Sequence, residues 1–482
     1  MHHHRHRSGR SATGSRRGLL SVLLVAQLMV ILDISAVNVA LPDLAEDLRI
    51  GGGNIGWTIT SYSLIFGSLL LLGGRAADLL GRRRVFLAGL AVFTISSAAS
   101  ALAISATGLF AARAGQGLGA ALLSPAALSI ITTAFQGTER ARALGAWGAV
   151  GGTGAAIGVL LGGVLTDLAD WRAIFYINLP IGLALALAAT KVVPADHGRP
   201  RWHGLDLGGA VLVTASLATL IYAISQASST GWASAQTLGF ALAGLAGLAG
   251  FVRLARRTAH PLLRIQRLAD RAVGGGFLLM LIASAVLFGM FLLSSLYLQN
   301  VLGTGPLATG LGFLPVALAA GAGAHLGSHL VRHAGIRAPM AGAFAVTAGS
   351  MLLLAGVDAN GSYAADVLPG MVIGGLGLGV VLVCVVVAVL TGARDDETGM
   401  LSGLNTTGHE IGGSLGIAVL VTIATAATAS ASAPATANGI ADAFLAAAGL
   451  AGAGALIAAL ALPSATSFLP RLRLAPESMP IH

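Results

Sequence analysis

Three ionisable side chains stand inside otherwise apolar stretches of this 482-residue chain: Asp33, Arg113 and Glu410. A charge deep in a bilayer is costly unless it is paired or hydrated, and where one persists it commonly marks a path for protons, ions or substrate. An acid in that setting can take up a proton and release it as its surroundings change. Asp33 and Glu410 therefore have the chemistry of proton carriers. Arg113 stays protonated at any accessible pH and cannot be the carrier; its use would be to set the charge balance of a nearby carboxylate. Each also has a purely structural reading: Asp33 as a carboxylate tied to a helix partner, Arg113 as an anchor reaching for the membrane surface, and Glu410 as a buried hydrogen-bonded acid. Asn38, Gln116 and Asn405 are amides in the same kind of stretch and join Glu410 as candidates to line a substrate cavity. Asn38, five residues beyond Asp33, is better suited to hydrogen bonding between helices.

The elements that hold these residues must be membrane helices. With 55% hydrophobic and 10% charged residues and a mean hydropathy of +0.84, one soluble core cannot absorb the apolar side chains. A spanning helix needs ~20 apolar residues. Fourteen runs qualify, near 19–41, 55–74, 85–105, 108–134, 144–166, 173–193, 205–226, 236–255, 273–298, 307–331, 338–357, 364–390, 400–424 and 441–462. The 67 glycines fall mainly within these runs, which argues for closely packed helices.

Charge sets the orientation. The short link from Gly74 to Phe86 carries Arg75, Arg82, Arg83 and Arg84, and short loops rich in basic residues stay in the cytoplasm. With both termini inside, all but three of the 28 Lys+Arg are cytoplasmic; Arg49 and Arg172 fall outside and Arg113 within a helix. The net charge of +9 is thus an orientation signal and an attraction to anionic lipid, and no basic patch interleaved with aromatics suggests nucleic acid. The first run is too long for a cleavable signal peptide and is followed by another span. Arginine far outnumbers lysine, as in GC-rich genomes, which points to a bacterial plasma (inner) membrane. Cys384 is the lone cysteine, so intrachain disulfides and thiolate metal clusters are excluded. His325, His329 and His333 recur every fourth residue on one helix face; without an acid in the run, a hydrated cytoplasmic face fits better than a metal site. No cofactor or metal is expected, and neither the Gly115-x-x-x-Gly119 nor the Gly412-x-x-x-Gly416 pair continues into a nucleotide-binding motif.

Two basic, proline-containing links, 194–204 and 253–272, isolate a central helix pair. The chain divides into residues 1–193 with six spans, 194–272 with two, and 273–482 with six and a cytoplasmic tail, which suggests paired bundles around a cavity. Asp206 stands where a helix N-terminal charge is favoured, and the outer link from Thr425 to Asn438 reads as flexible.

Gly74, Ala77, Asp78, Gly81, Arg82 and Arg83 match the cytoplasmic Gly-x-Leu-Ala-Asp-Arg-x-Gly-Arg-Lys motif of the major facilitator superfamily, with departures at Ala76 and Leu79. The run Leu109 to Gly119, with Arg113, Gln116 and Gly117, is similar to the fourth-helix motif of that superfamily, and Leu32 to Pro42 resembles the first-helix motif of its fourteen-helix drug:proton antiporter branch. Trp171 to Gly182, Tyr297 to Gly303 and Asn405 to Gly413 extend the resemblance over nearly the whole chain. It implies an all-α polytopic fold of two six-helix bundles plus a central pair, and alternating-access export of amphipathic or cationic organic compounds in exchange for protons, by a monomer that is not an enzyme. Gly74, Asp78, Gly81, Arg82 and Arg83 would form a cytoplasmic gate, with Asp78 accepting helix-end N–H bonds. The fifth-helix Gly-Pro pairs of such antiporters are replaced by Gly154-Ala155 and Gly158-Val159, which removes the proline kink but keeps glycines at 151, 154, 158 and 162 on one side. A narrow exporter of one endogenous metabolite shares these motifs; a membrane-embedded enzyme or receptor lacks support, because no nucleophile with a base and orienter is present.

Overall fold

The computed structural model describes residues 7–50, 57–196, 206–258, 261–394, 397–426 and 433–473, and among them no strand occurs. The helices are α1 (Arg7–Asp47), α2 (Trp57–Leu80), α3 (Arg82–Ala101), α4 (Ala106–Ala134), α5 (Gly137–Leu168), α6 (Ala173–Tyr176), α7 (Asn178–Val192), α8 (Leu207–Thr230), α9 (Ala235–Ala255), α10 (Arg271–Leu296), α11 (Pro306–Gly312), α12 (Leu314–Ala334), α13 (Arg337–Leu354), α14 (Leu368–Leu390), α15 (Thr398–Ala426), α16 (Ala433–Ala461) and α17 (Ala465–Arg473). In hydrocarbon a backbone must satisfy its own polar groups, which is why these apolar runs fold as helices. Polar side chains supply the caps where runs begin: Ser105 accepts from Gly108 N–H, Asp206 from Gly209 N–H and Ser234 from Thr237 N–H.

Twelve helical stretches among the described residues are long and apolar enough to cross a membrane. The fourteen expected from sequence are not all in that set. Side chains within α5, and those at both edges of the Gly208–Ile224 stretch of α8, lie outside the described residues, so these two runs are not counted in that set. The charged link after the second run is also more helical than expected. α2 continues through Gly74, Asp78 and Leu80, and the chain turns only at Gly81, whose φ of +106° a side chain would strain. Arg75, expected in a loop, is consequently buried in α2. Residues 433 to 438 of the expected flexible link belong to α16, and 427–432 lie outside the described residues.

α1 packs on α5, and α2 and α3 on α4; in the later part α10 packs on α15, α12 on α14 and α13 on α16. The two sets meet where α2 lies against α15 and α5 against α12. The α8–α9 hairpin covers the α2/α15 seam: Ile221 packs at Gly67, and Trp232 Nε1 donates to Thr422 Oγ1 at 2.7 Å. Of the fifth-run glycines, Gly154, Gly158 and Gly162 give α1 its close approach at Ile31, Leu32 and Ala36, whereas Gly151 faces open space. His325, His329 and His333 are all exposed on α12, with the last two rings 4.5 Å apart and His333 Nδ1 donating to the His329 carbonyl oxygen at 2.9 Å.

Candidate functional site

Five helices converge on Asp33. α1 brings the acid, α4 brings Arg113 and Gln116, α3 brings Ser97 and Ser100, α7 brings Asn178, and α2 brings Thr58 and Tyr62. Arg113 Nη1 donates to Asp33 Oδ2 at 2.5 Å and to Gln116 Oε1 at 2.9 Å, while Arg113 Nε donates to the Thr58 carbonyl oxygen at 3.2 Å. Asp33 Oδ1 accepts from Gln116 Nε2 at 2.8 Å and from Asn178 Nδ2 at 2.9 Å. Gln116 is fully used: Nε2 also donates to Ser97 Oγ at 2.8 Å and Oε1 accepts from Ser100 Oγ at 3.2 Å. The Tyr62 ring lies 4.5 Å from the guanidinium carbon and the Phe175 ring 5.8 Å, so aromatic faces cover what the oxygens leave.

Both charges are sealed, at 2% exposure for Asp33 and 1% for Arg113. Such a pair is tolerable only because each charge satisfies the other and the remaining donors and acceptors are bonded. Separating it exposes two uncompensated charges; protonation of Asp33 removes one of them and leaves the permanent Arg113 charge to the Thr58 carbonyl, Gln116 and the Tyr62 ring. The geometry can therefore tie protonation to helix movement. The carboxylate beside Arg113, whose charge balance the arginine was expected to set, is Asp33. Gln116, a candidate for the substrate cavity, instead serves this cluster and is completely buried. Asn178 and Ser97 were not singled out from sequence. Asn178 stood in a quoted motif string and could have been; Ser97, one of many helix serines, carried no signal. The side chain of Asn38 lies outside the described residues.

Glu410 belongs to a neighbouring region. It projects from half-buried α15 toward α2, with its Cβ 3.9 Å from where a Gly67 side chain would begin. Tyr62 lies within electrostatic range of Asp33, Arg113 and Glu410 together, and its buried hydroxyl has no hydrogen-bond partner among the described residues. Asn405, on the same helix as Glu410, is 2% exposed with Oδ1 likewise unpartnered. His409, not singled out from sequence, turns away to Ser284 Oγ on α10, 2.6 Å from Nδ1.

At the end of the bundle carrying Arg82 to Arg84, the two helix sets are tied together. Asp78 Oδ1 and Oδ2 accept from the N–H groups of Gly399 and Met400, each at 2.9 Å, so an α2 carboxylate caps α15. Gly74 permits this approach, since a Cβ there would overlap the Gly399 carbonyl. Arg82 Nη2 donates to Thr398 Oγ1 at 2.8 Å and lies 3.8 Å from Asp78, while Ser129 of α4 meets the same threonine at 3.0 Å. Arg140 of α5 adds a bond to the Leu390 carbonyl oxygen at 2.9 Å.

Arg83 and Gly81, grouped with this gate by motif, are placed elsewhere. Arg83 Nη2 donates to Thr190 O of α7 at 2.6 Å, and Gly81 makes the turn over Asp196, which accepts from the Arg83 and Arg84 N–H groups at 3.0 Å. Both stay within the first helix set, while Arg82 between them reaches α15. Glu397, missed from sequence, is 2% exposed and binds Arg264 Nη1 at 2.6 Å and Arg267 Nε at 2.9 Å, which fastens the link after α9 to the start of α15.

At the opposite end, Arg172 binds Asp47 at 2.8 Å and stacks 4.3 Å over Trp171. The Arg172 hydrogen bond, then that of Trp171, holds the Asp47 carboxyl below the usual carboxylate range. A depressed folded-state value means that the pair's small contribution is present at neutral pH and is lost only as pH falls through that lowered value.

A sealed charge pair within membrane-length helices, and a carboxylate that caps one helix set from the other, describe a polytopic membrane protein built of two helix sets. The chain belongs to the Major Facilitator Superfamily, whose model matches residues 23–417. It is 38% identical over 408 residues to the puromycin resistance protein pur8 of Streptomyces alboniger, covering 84% of this chain and 81% of that protein. Identity is also 38% over 418 residues with the cephamycin export protein CmcT of Amycolatopsis lactamdurans (86% of each chain), and 35% over 396 residues with the multidrug resistance protein Stp of Mycobacterium tuberculosis (82% and 73%). The human organic anion transporter MFSD10 (TETRAN) has the same fold, with a TM-score of 0.66 over 92% of this chain and 99% of that one at 17% identity.

Proposed function

We propose that this protein exports amphipathic or cationic organic compounds in exchange for protons by alternating access. The observation that carries this reading is the buried Asp33–Arg113 pair on neighbouring spans; the resistance and export proteins among its relatives support the substrate class. Asp33 carries the proton, Arg113 holds its charge in the resting state, and Gln116 and Asn178 position the carboxylate. Glu410 and Asn405 face the transported compound. Gly74, Asp78 and Arg82 close the cytoplasmic side. The protein works as a monomer in the bacterial plasma membrane, with both termini in the cytoplasm and fourteen spans: a six-helix unit at 1–193, a central pair within 194–272 and a second six-helix unit with the tail at 273–482. A second reading, a narrow exporter of one metabolite, is kept because CmcT is named for the export of a single antibiotic class.

Efflux of a panel of compounds from a pump-deficient host separates the two: structurally unrelated cations leaving faster supports the first reading, and a single responding compound supports the second. In the same assay Glu410→Gln is expected to slow efflux of cations by about tenfold, the loss of one charge contact near 1.4 kcal/mol, with neutral compounds unaffected. Equal loss for both classes would make Glu410 a structural residue.

Deleting residues 205–255 tests the span count. An even number of spans is then removed, and the C-terminal tail stays on its original side in protease mapping of membrane vesicles. A tail found on the other side would show that α8 and α9 do not both span.

A further inference from the structure

A cavity of about 460 Å³ opens where α10 and α13 begin and α16 hands over to α17. Arg271 and Arg337 line it with Ser464 and Ser467. Both arginines are exposed, and neither has an ion-pair partner among the described residues. Asp270 is the one acid in the lining, and its Oδ1 already accepts the Ala272 N–H at 2.8 Å. The α17 side of the cavity is fixed in place, because Phe468 is completely buried and Ser467 Oγ donates to the Ser464 carbonyl oxygen at 3.0 Å.

Its position identifies the ligand chemistry. α10, α13 and α16 each have membrane-crossing length, and the cavity lies at their ends, the depth of lipid headgroups. Leu460, the last large apolar side chain of α16 before this rim, is 77% exposed on the flank. A polar basin with two guanidinium groups thus adjoins an outward apolar face. Guanidinium forks match phosphate oxygens better than any other side chain does, and basic recesses between helices at this depth suit anionic headgroups. We propose that Arg271 and Arg337, with Ser464 and Ser467, form a binding site for a phosphate group, delivered by an anionic phospholipid headgroup or by free phosphate.

The test follows thermal unfolding of the purified full-length chain in detergent while phosphatidylglycerol, phosphatidylcholine of the same acyl composition, or inorganic phosphate is titrated in. Phosphatidylglycerol is expected to raise Tm by roughly 3 °C at saturation, with phosphatidylcholine silent. Arg271→Gln/Arg337→Gln is expected to abolish the rise, and Arg256→Gln/Arg257→Gln, which removes equal charge outside the cavity, to keep it. Arg337→Gln alone weakens the apparent affinity at least threefold and reads the site if the double variant is unstable. A rise with phosphatidylglycerol but not with phosphate assigns the lipid as source; an equal rise with phosphate assigns the free anion. A rise that persists in Arg271→Gln/Arg337→Gln, or no rise in the parent protein with either ligand, overturns the site.

Discussion

Asp33→Asn is expected to abolish accumulation of compound against a gradient, lowering it at least 100-fold, while compound binding persists. Asparagine keeps the shape and one acceptor for Gln116 and Asn178 but cannot carry the charge that Arg113 faces at 2.5 Å. Removing one member of a buried pair leaves the other uncompensated, at about 3–5 kcal/mol. Asp33→Asn and Arg113→Gln should therefore each lower the unfolding midpoint, whereas Asp33→Asn/Arg113→Gln, with no stranded charge, costs less than their sum by about 2 kcal/mol or more. Denaturant unfolding of the three variants gives this coupling, and vesicle uptake gives the transport loss. Additive stabilities together with intact accumulation in Asp33→Asn would reduce the pair to a static anchor.

Asp78→Asn is expected to slow transport by about tenfold or more at equal membrane protein. Each carboxylate oxygen accepts one N–H of α15; an asparagine offers one oxygen and turns its own N–H₂ toward the other donor. Loss of a charge-assisted bond and the creation of that clash cost the closed state about 1.5–3 kcal/mol, enough to shift a two-state balance by about 10–100-fold. The arginines that orient the link remain, so insertion is unaffected. Transport normalised to surface protein decides it, and an unchanged rate would remove Asp78 from the cycle.

Much of this was legible because membranes simplify the code. An acid and an arginine inside apolar runs have few structural excuses, so Asp33 and Arg113 stood out. The Asp78 cap was legible only through the motif resemblance, because the helix start that it caps lies 321 residues further along the chain. What stayed hidden depends on direction rather than type. Gln116 reads the same from sequence whether it faces a cavity or a carboxylate, and the structure turns it to Asp33. Arg82 and Arg83 are adjacent and chemically identical, yet one reaches Thr398 across the interface and the other Thr190 within its own helix set. Glu397 sits in a link without any motif, and its burial by two arginines comes from a tertiary fold-back that spacing cannot reveal.

Proton flux measured directly is the sharpest test of the coupling. The full-length protein is reconstituted in liposomes holding a pH-sensitive dye, and a cationic compound is added with no imposed pH gradient. Compound entry should drive protons out at a rate that scales with compound concentration, and Asp33→Asn should silence that signal while equilibrium binding remains. Compound movement at full rate with no pH change in the parent protein would contradict proton exchange altogether.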